Sequence, residues 1–129
     1  MRSVGCALAF CFFSVATPVP VAADGNQLLK LCAAAERTAD GVKQSVLDDV
    51  DAIRCMSYLN GITDLNMMYQ AGLNRPKPQT LFCLPDTNIK NAQAVHIVVK
   101  FLRAHPEQLH QSDIFLVAVA LAEAFPCQK

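Results

Sequence analysis

The stretch IFLVAVALAEAF at residues 114–125 decides the fold of this chain. Its only charged residue is Glu123, so as a helix it is apolar on every side, and we expect other elements to enclose it. It is too short to cross a bilayer, and Pro126 stops the helix directly after it. The pattern therefore predicts a central helix, with Cys127 placed where that helix ends.

The first 23 residues have the composition of a secretory signal peptide. Arg2 precedes an apolar run at residues 4–15, and the small residues that end at Ala23 form a cleavage site. An uncleaved membrane anchor is the alternative, but the apolar run is short and two prolines follow it. We therefore predict that residues 1–23 are removed and that the mature, exported chain covers residues 24–129.

Cleavage changes both the charge and the cysteine count. Removing residues 1–23 takes away Arg2 and leaves ten basic against eleven acidic residues, a net charge of −1. This balance gives no electrostatic reason to expect nucleic acid or anionic lipid as a partner. Cys6 and Cys11 are removed too; a lipoprotein signal would use one of them, but Phe10 is bulky where such signals carry a small residue. The four remaining cysteines of an exported chain predict two disulfides.

Two helices are predicted in the first half of the mature chain. The first begins with Asp24 or Asn26 as N-cap and ends near Gly41. Ser45, with Asp48 three residues later, has the pattern of a capping box for a second and longer helix.

The second helix is predicted to bury one face and to run to about residue 70. Gly61 interrupts it, and a glycine inside a helix costs about 1 kcal/mol relative to alanine. We therefore expect another helix or a loop to approach closely at this point. The residues that predict the buried face recur at steps of three and four: Cys55, Tyr58, Leu59, Ile62, Leu65 and Tyr69.

A proline-stiffened loop follows Gly72, the expected C-cap of the second helix. It reads Asn74-Arg75-Pro76-Lys77-Pro78 and carries two positive charges. It is either a recognition surface, with Asn74, Arg75 and Lys77 as the partner-binding residues, or a plain connector.

A third helix is predicted over residues 88–104, capped by Asp86, Thr87 or Asn88. It has two apolar stripes and so needs two neighbours, which we expect to be the central helix and either the first hairpin or a partner subunit. His105-Pro106 ends it, and Ser112 is the expected N-cap of the central helix. The stripes are Val95, Val98, Val99 and Leu102, and Ala94, Ile97 and Phe101.

Helix geometry predicts how the four cysteines pair. In an antiparallel hairpin that turns at Gly41, Cys32 and Cys55 lie at nearly the same height. Cys83 precedes the third helix and Cys127 follows the helix that returns beside it, so these two lie at the same end of a second hairpin. We therefore predict an all-α bundle of about four helices in two antiparallel hairpins. Loop-closure entropy gives about 3.4 kcal/mol for the shorter cross-link and about 4 kcal/mol for the longer.

The sequence favours a binding protein without cofactor or metal over an enzyme. It has no glycine-rich phosphate loop, and disulfide pairing removes every thiol that could act as a nucleophile. The acidic group at Asp48, Asp49 and Asp51 is typical of a solvated helix start, where the helix dipole favours negative charge. The histidines, which are too scattered to predict a metal site, are His96, His105 and His110.

Three stretches together carry a family resemblance. They read Gly25-Asn26-x-Leu28-Leu29 with Cys32, then Cys55-x-x-Tyr58-Leu59-x-Gly61-x-x-Asp64, then Phe82-Cys83-Leu84-Pro85 followed by Gln93, Leu102, His105-Pro106-Glu107 and Ala120-Leu121-x-x-Ala124-Phe125-Pro126-Cys127. In their order and spacing they resemble the Rap/Tai immunity proteins of type VI secretion systems. The motif positions we single out are Tyr58, Gly61, Asp64, Pro85, Gln93, Pro106 and Pro126.

The resemblance implies a small helical periplasmic protein, commonly a homodimer, that binds a cognate peptidoglycan amidase effector and blocks its active site. It implies no membrane association after signal cleavage. One departure is Lys90, where the family usually has a threonine that caps the third helix opposite Gln93, so we expect the cap to shift to Thr87 or Asn88. The alternative function is that of a periplasmic stress chaperone with the same fold and no toxin partner.

Overall fold

A computed structural model describes residues 23–72, 80–85 and 89–127, and these residues form helices connected by turns, without a β-strand. Residues 1–22 of the predicted signal peptide, the loop at residues 74–78 and the candidate caps at residues 86–88 lie outside the described residues. The all-α prediction is confirmed. The helices are α1 (Gly25–Ala39), α2 (Val46–Gln70), α3 (Asn91–Ala104) and α4 (Asp113–Ala124), with a 3-10 turn at Pro106–Gln108 before α4.

The first two helices begin at the predicted caps. Asp24 accepts a hydrogen bond from the backbone N–H of Gln27 at 3.0 Å. Ser45 accepts one from the backbone N–H of Asp48 at 3.2 Å, and its hydroxyl donates to the Asp48 carboxylate at 2.8 Å. These hydrogen bonds are the main reason why the pKa of each aspartate lies below its ordinary value.

The helix α3 begins later than predicted. Lys90, in extended backbone, occupies the N-cap position without a side-chain cap hydrogen bond, so the expected shift of the cap to Thr87 or Asn88 is wrong. Ile89 is buried, and the extended backbone at Lys90 lets this side chain reach the core before the helix starts. Lys90 stands where the resembled family has a threonine, and α3 still begins directly after this position.

The core centres on α3, which packs against α1, α2 and α4. Four of its side chains are no more than 1% exposed, and they form the first predicted stripe: Val95, Val98, Val99 and Leu102. The second neighbour of α3, left open between the first hairpin and a partner subunit, is therefore the first hairpin.

The helix α4 is buried on one side only. Leu116, Val117 and Leu121 are fully buried, but Ile114 is 49% exposed and Phe115 is 51% exposed. The expectation that other elements enclose this helix on every side is wrong for the described residues, because α1 and α3 pack against one side while Ile114 and Phe115 keep about half of their surface exposed. No helix in the described ranges has the combined length and apolarity needed to span a membrane.

The buried face of α2 matches the predicted one only in part: Cys55 and Leu59 are buried as predicted, but two other predicted residues are exposed. Leu65 is 54% exposed and Tyr69 is 42% exposed, and a Cβ added at Gly61 would meet no atom within 4 Å. The predicted close approach at Gly61 is therefore wrong within the described chain. Apolar residues lie around most of the circumference of α2, so their spacing in the sequence does not show which face packs against the rest of the chain. The residues it buries are Ala52, Cys55, Leu59, Thr63 and Asn66.

Both predicted disulfides are present. Cys32 and Cys55 join α1 to α2 with their Cα atoms 5.1 Å apart, and both are completely buried. Cys83 and Cys127 join the segment before α3 to the residue beyond α4 with Cα atoms 4.9 Å apart. Cys127 is exposed, so one cross-link lies in the core and the other reaches the surface.

The start of α1 is fastened to the turn before α4. The backbone N–H of Gly25 donates to the carbonyl of Gln111 at 3.1 Å, and that of Asn26 donates to the carbonyl of Leu109 at 3.2 Å. Gly25 is buried here, and a Cβ at this position would lie 2.9 Å from the Leu109 backbone and collide with the Leu116 side chain. A glycine is required at this close approach.

We expect Gly25→Ala to destabilise the protein by about 1–3 kcal/mol, because the added methyl group overpacks a rigid contact. Denaturant unfolding followed by circular dichroism measures the change. Lys100→Ala, on the exposed side of α3, is the matched control and should change stability by less than about 0.5 kcal/mol. Equal stability of Gly25→Ala and the wild type would contradict this account.

Candidate partner-binding surface

An apolar groove of about 350 Å³ lies between the C-terminal half of α2 and the start of α4. Leu65 and Tyr69, one turn apart, form one wall, and Ile114 and Ala118, also one turn apart, form the other. Leu81, which is 72% exposed, closes one end. We call this feature the apolar groove; it is lined by Ile62, Leu65, Asn66, Tyr69, Leu81, Phe82, Ile114 and Ala118.

Hydrogen bonds fix the segment at residues 80–85 beside the groove. The buried amide of Asn66 donates to the carbonyl of Phe82 at 2.8 Å, and the amide of Gln70 donates to the carbonyl of Leu84 at 3.0 Å. These bonds hold the segment on α2. Sequence reasoning did not identify Asn66; the available signal was a polar residue among the apolar residues of α2.

The same segment is also held at the far end of α4. The backbone N–H of Cys83 donates to the carbonyl of Phe125 at 2.9 Å, beside the disulfide to Cys127. The segment is therefore held by α2 on one side and by the end of α4 on the other. The groove beside it is present in the single chain.

Tyr58 links α2 to the start of α4. Its hydroxyl donates a hydrogen bond to the Asp113 carboxylate, and Asp113 Oδ1 accepts from the backbone N–H of Ile114 at 2.7 Å. Burial, followed by the negative charge of Asp113, raises the pKa of Tyr58 well above its ordinary value. The tyrosine is neutral at physiological pH, and its role is to position α4.

Polar side chains on α1 and α3 contact one another between the two helices. Arg103 lies 2.7 Å from Glu36, and the His96 ring lies 3.5 Å from Glu36 and 3.4 Å from Asp40. The Nδ1 atom of His105 lies 2.9 Å from the carbonyl of Phe101.

Two of the three acidic residues at the start of α2 are also paired with bases. Asp48 lies 3.2 Å from Arg37, and Asp51 lies 3.6 Å from both Lys30 and Arg54. Within residues 23–72, 80–85 and 89–127, no three His, Cys, Asp or Glu side chains are placed to hold a metal ion.

The structure does not bring the other motif positions together at one site. Gly61 and Asp64 are exposed on α2, and the remaining four are exposed at turns or helix starts: Pro85, Gln93, Pro106 and Pro126. The predicted partner-binding residues Asn74, Arg75 and Lys77 lie outside the described residues. The chain leaves α2 just after Tyr69 and returns just before Leu81, both of which line the groove.

Comparison with known proteins identifies a family for this chain. A protein-family model described as Rap1a immunity proteins matches residues 24–127. A search of curated proteins found no match, and neither did a search of solved structures. The matched range begins at the N-cap of α1 and ends at the cysteine beyond α4, so it includes both disulfides and all four helices.

We expect Asn66→Leu to destabilise the fold by about 1–3 kcal/mol, because it leaves the carbonyl of Phe82 without its hydrogen bond. Denaturant unfolding gives the stability, and hydrogen exchange at residues 80–85 should accelerate. Asn60→Leu, one and a half turns earlier on α2, is the control. The account fails if both variants unfold at the same denaturant concentration as the wild type.

Proposed function

The chain belongs to the Rap1a immunity protein family, and from that premise we propose that it binds a cognate type VI secretion effector, a peptidoglycan amidase, and inhibits it. Membership of an immunity family implies binding of a secreted effector. The amidase activity, the secretion system and the inhibition follow from the resemblance carried by the motifs. The observation that supports a binding site on this chain is the apolar groove between α2 and α4.

The groove suits a protein segment that presents apolar side chains. Its walls are aliphatic and aromatic, and the amide of Asn66 on its floor is already engaged with Phe82. Leu65, Leu81 and Ile114 lose exposed surface when a partner covers them, and burial of such surface drives most protein association. The groove is therefore proposed as the anchor of the complex.

The loop at residues 74–78 is proposed to add charge recognition to the complex. Arg75 and Lys77 are its two positive charges, and the loop joins Gly72 to Thr80. Charges at the rim of an interface act mainly on the association rate and on the choice of partner. We infer that an acidic patch of the effector lies against this loop while apolar side chains fill the groove.

Export is part of the proposal. The signal sequence at residues 1–23 and the two disulfides fit a chain that folds in an oxidising compartment. An amidase that cuts peptidoglycan acts on the wall side of the inner membrane. We therefore propose that the mature protein resides in the periplasm, where it intercepts the effector by binding rather than by catalysis.

We also propose that the working unit is a homodimer, as the family resemblance predicts. A second set of exposed apolar side chains, which includes Val46, Val50 and Ile53, lies on α2 away from the groove. An effector segment that fills the groove leaves this second set uncovered. A second copy of the chain is the partner we propose for it.

We expect Leu81→Glu and Ile114→Glu each to weaken inhibition of the amidase by roughly 30-fold or more, since a charge in the centre of an interface costs about 2 kcal/mol. Both side chains are exposed, so the fold tolerates the change. The inhibition constant is measured with the purified cognate amidase.

The control for the groove is Lys100→Glu, on the exposed side of α3 away from the groove, which should inhibit like the wild type. If both groove variants inhibit the amidase as strongly as the wild type does, the groove is not the binding site. Protection of unfolded client proteins, without binding to any folded amidase, would favour the chaperone alternative.

Reversing the loop charges in Arg75→Glu/Lys77→Glu is expected to slow association with the amidase by about 10-fold or more at low salt, with less effect in 0.5 M salt because rim charges are screened. Surface plasmon resonance gives the rate. Lys43→Glu/Lys100→Glu changes net charge equally at other sites, and equal slowing in that control would indicate net charge rather than loop recognition.

A further inference from the structure

The two disulfides differ in their access to solvent. Cys32 and Cys55 lie in the core and are both 0% exposed. Cys127 is exposed and Cys83 is only partly buried, so the bond between them reaches the surface. A disulfide is reduced by attack of a thiolate on one of its two sulfurs. Of the two bonds, the one between Cys83 and Cys127 is therefore open to this attack while the chain stays folded.

The surroundings of Cys127 leave room for a reductant to approach. Cys127 lies beyond α4 in non-helical chain, and Pro126 before it is exposed as well. On the other side of the bond, Pro85 is exposed and Leu81 is 72% exposed. A thiolate that comes from solvent therefore meets the sulfur of Cys127 first.

The hydroxyl of Thr80 lies beside both sulfurs of this bond. Its Oγ1 atom is 3.5 Å from Sγ of Cys83 and 3.5 Å from Sγ of Cys127. Disulfide sulfurs carry no hydrogen, so the hydroxyl is the donor in either contact. A hydrogen bond to a charged acceptor is stronger than one to a neutral acceptor. The hydroxyl is thus placed to stabilise a thiolate that forms when the bond opens.

We propose that the bond between Cys83 and Cys127 is a reversible redox site of the folded protein, opened by a dithiol reductant, and that Thr80 assists the departure of the Cys83 sulfur. A thiolate of the reductant attacks Sγ of Cys127, and the electron pair of the S–S bond leaves with Sγ of Cys83. The second thiol of the reductant then displaces Cys127 and closes the reductant's own disulfide. Two electrons and two protons pass to the protein, which gains two free thiols.

The bond also ties together the two helices that form the walls of the apolar groove. These helices, α2 and α4, make few direct contacts with each other. At the far end of α4 they are connected through the segment at residues 80–85, which Asn66 and Gln70 hold on α2 and which the disulfide ties to α4. After reduction, the backbone hydrogen bond from Cys83 to Phe125 remains at this end without the covalent bond beside it.

Reduction is therefore expected to loosen the groove without unfolding the core. Leu81 and Phe82, which line the groove, directly precede Cys83. The core keeps its own cross-link between Cys32 and Cys55. An effect of reduction on effector binding rests on the proposed function, because the groove is the proposed anchor of that complex. The redox chemistry itself does not depend on an effector.

Dithiothreitol, added to the folded mature protein, tests the redox site. Free thiols are alkylated at successive times and assigned by peptide mass spectrometry. We expect Cys83 and Cys127 to be labelled roughly 100-fold faster than Cys32 and Cys55, which react only when the core opens. Circular dichroism should show that the singly reduced protein keeps its helix content. Labelling of all four cysteines together, or labelling only after the helices unfold, would overturn the proposal.

The role of Thr80 is tested by a pair of variants. Thr80→Val removes the hydroxyl and keeps the shape of the side chain, so reduction by dithiothreitol should slow by about 3-fold or more because the leaving thiolate is less stabilised. Thr80→Ser keeps the hydroxyl and is the matched control, with a rate close to that of the wild type. A wild-type rate in Thr80→Val would contradict the role given to the hydroxyl.

Hydrogen exchange tests the link to the groove without an effector. In the singly reduced protein and in Cys83→Ser/Cys127→Ser, amides at residues 80–85 should exchange about 10-fold faster or more, while those of α3 keep their rates. Unchanged exchange at residues 80–85 would overturn this link. Amidase binding by the oxidised protein is measured separately, so its absence would count against the proposed function and leave the thiol-labelling and exchange results to decide the redox site.

Where the oxidised protein binds the amidase, the singly reduced protein should bind it at least about 10-fold more weakly, since the anchor of the complex is less ordered. Equal affinity of the two forms would show that the groove does not depend on this bond.

Discussion

The burial of α3 against the other three helices is the contact on which the rest of the structure depends. Val98 and Val99 are fully buried, and valine is a poor helix former in isolation, so tertiary packing rather than local preference stabilises this helix. Because α3 occupies the centre, α4 can lie only along one side of it. The outward side of α4, with Ile114 and Phe115, is left partly uncovered, and Ile114 with Ala118 forms one wall of the groove. The position of the candidate site is therefore a consequence of how the core is filled.

The two disulfides explain how so small a domain keeps this much apolar surface outside its core. A chain of this size buries a limited fraction of its surface, and its net stability is a few kcal/mol. Cross-links worth about 3.4 and about 4 kcal/mol supply stability that does not depend on further burial. Cys32 and Cys55 hold α2 on α1 although much of the apolar surface of α2 faces outward. Apolar residues on α2 and α4 are thereby available for partners.

Local patterns predicted the helices and the disulfides well, because capping and helix geometry are short-range. Ser45 with Asp48, and the cysteine pairs, needed only the spacing of the chain. The buried faces of α2 and α4 were predicted poorly. The spacing of apolar residues shows that side chains such as Leu65 and Ile114 favour burial, but it does not show whether their own chain or another molecule buries them. The groove could not be predicted, since Asn66 and Phe82 come together only when the segment at residues 80–85 docks. The close approach expected at Gly61 is absent from the described chain, and nothing there explains a glycine at this position.

The attachment of Gly25 and Asn26 to the turn before α4 limits when the start of α1 can be fastened during synthesis. The side chain of Asn26 donates to the carbonyl of Leu109, a contact between residues 83 positions apart in the chain. The chain must extend beyond Leu109 before this closure can form, so a growing chain lacks it until most of the polypeptide is present. The start of the first helix is therefore unfastened in incomplete chains, and we expect proteolysis of such chains to begin there.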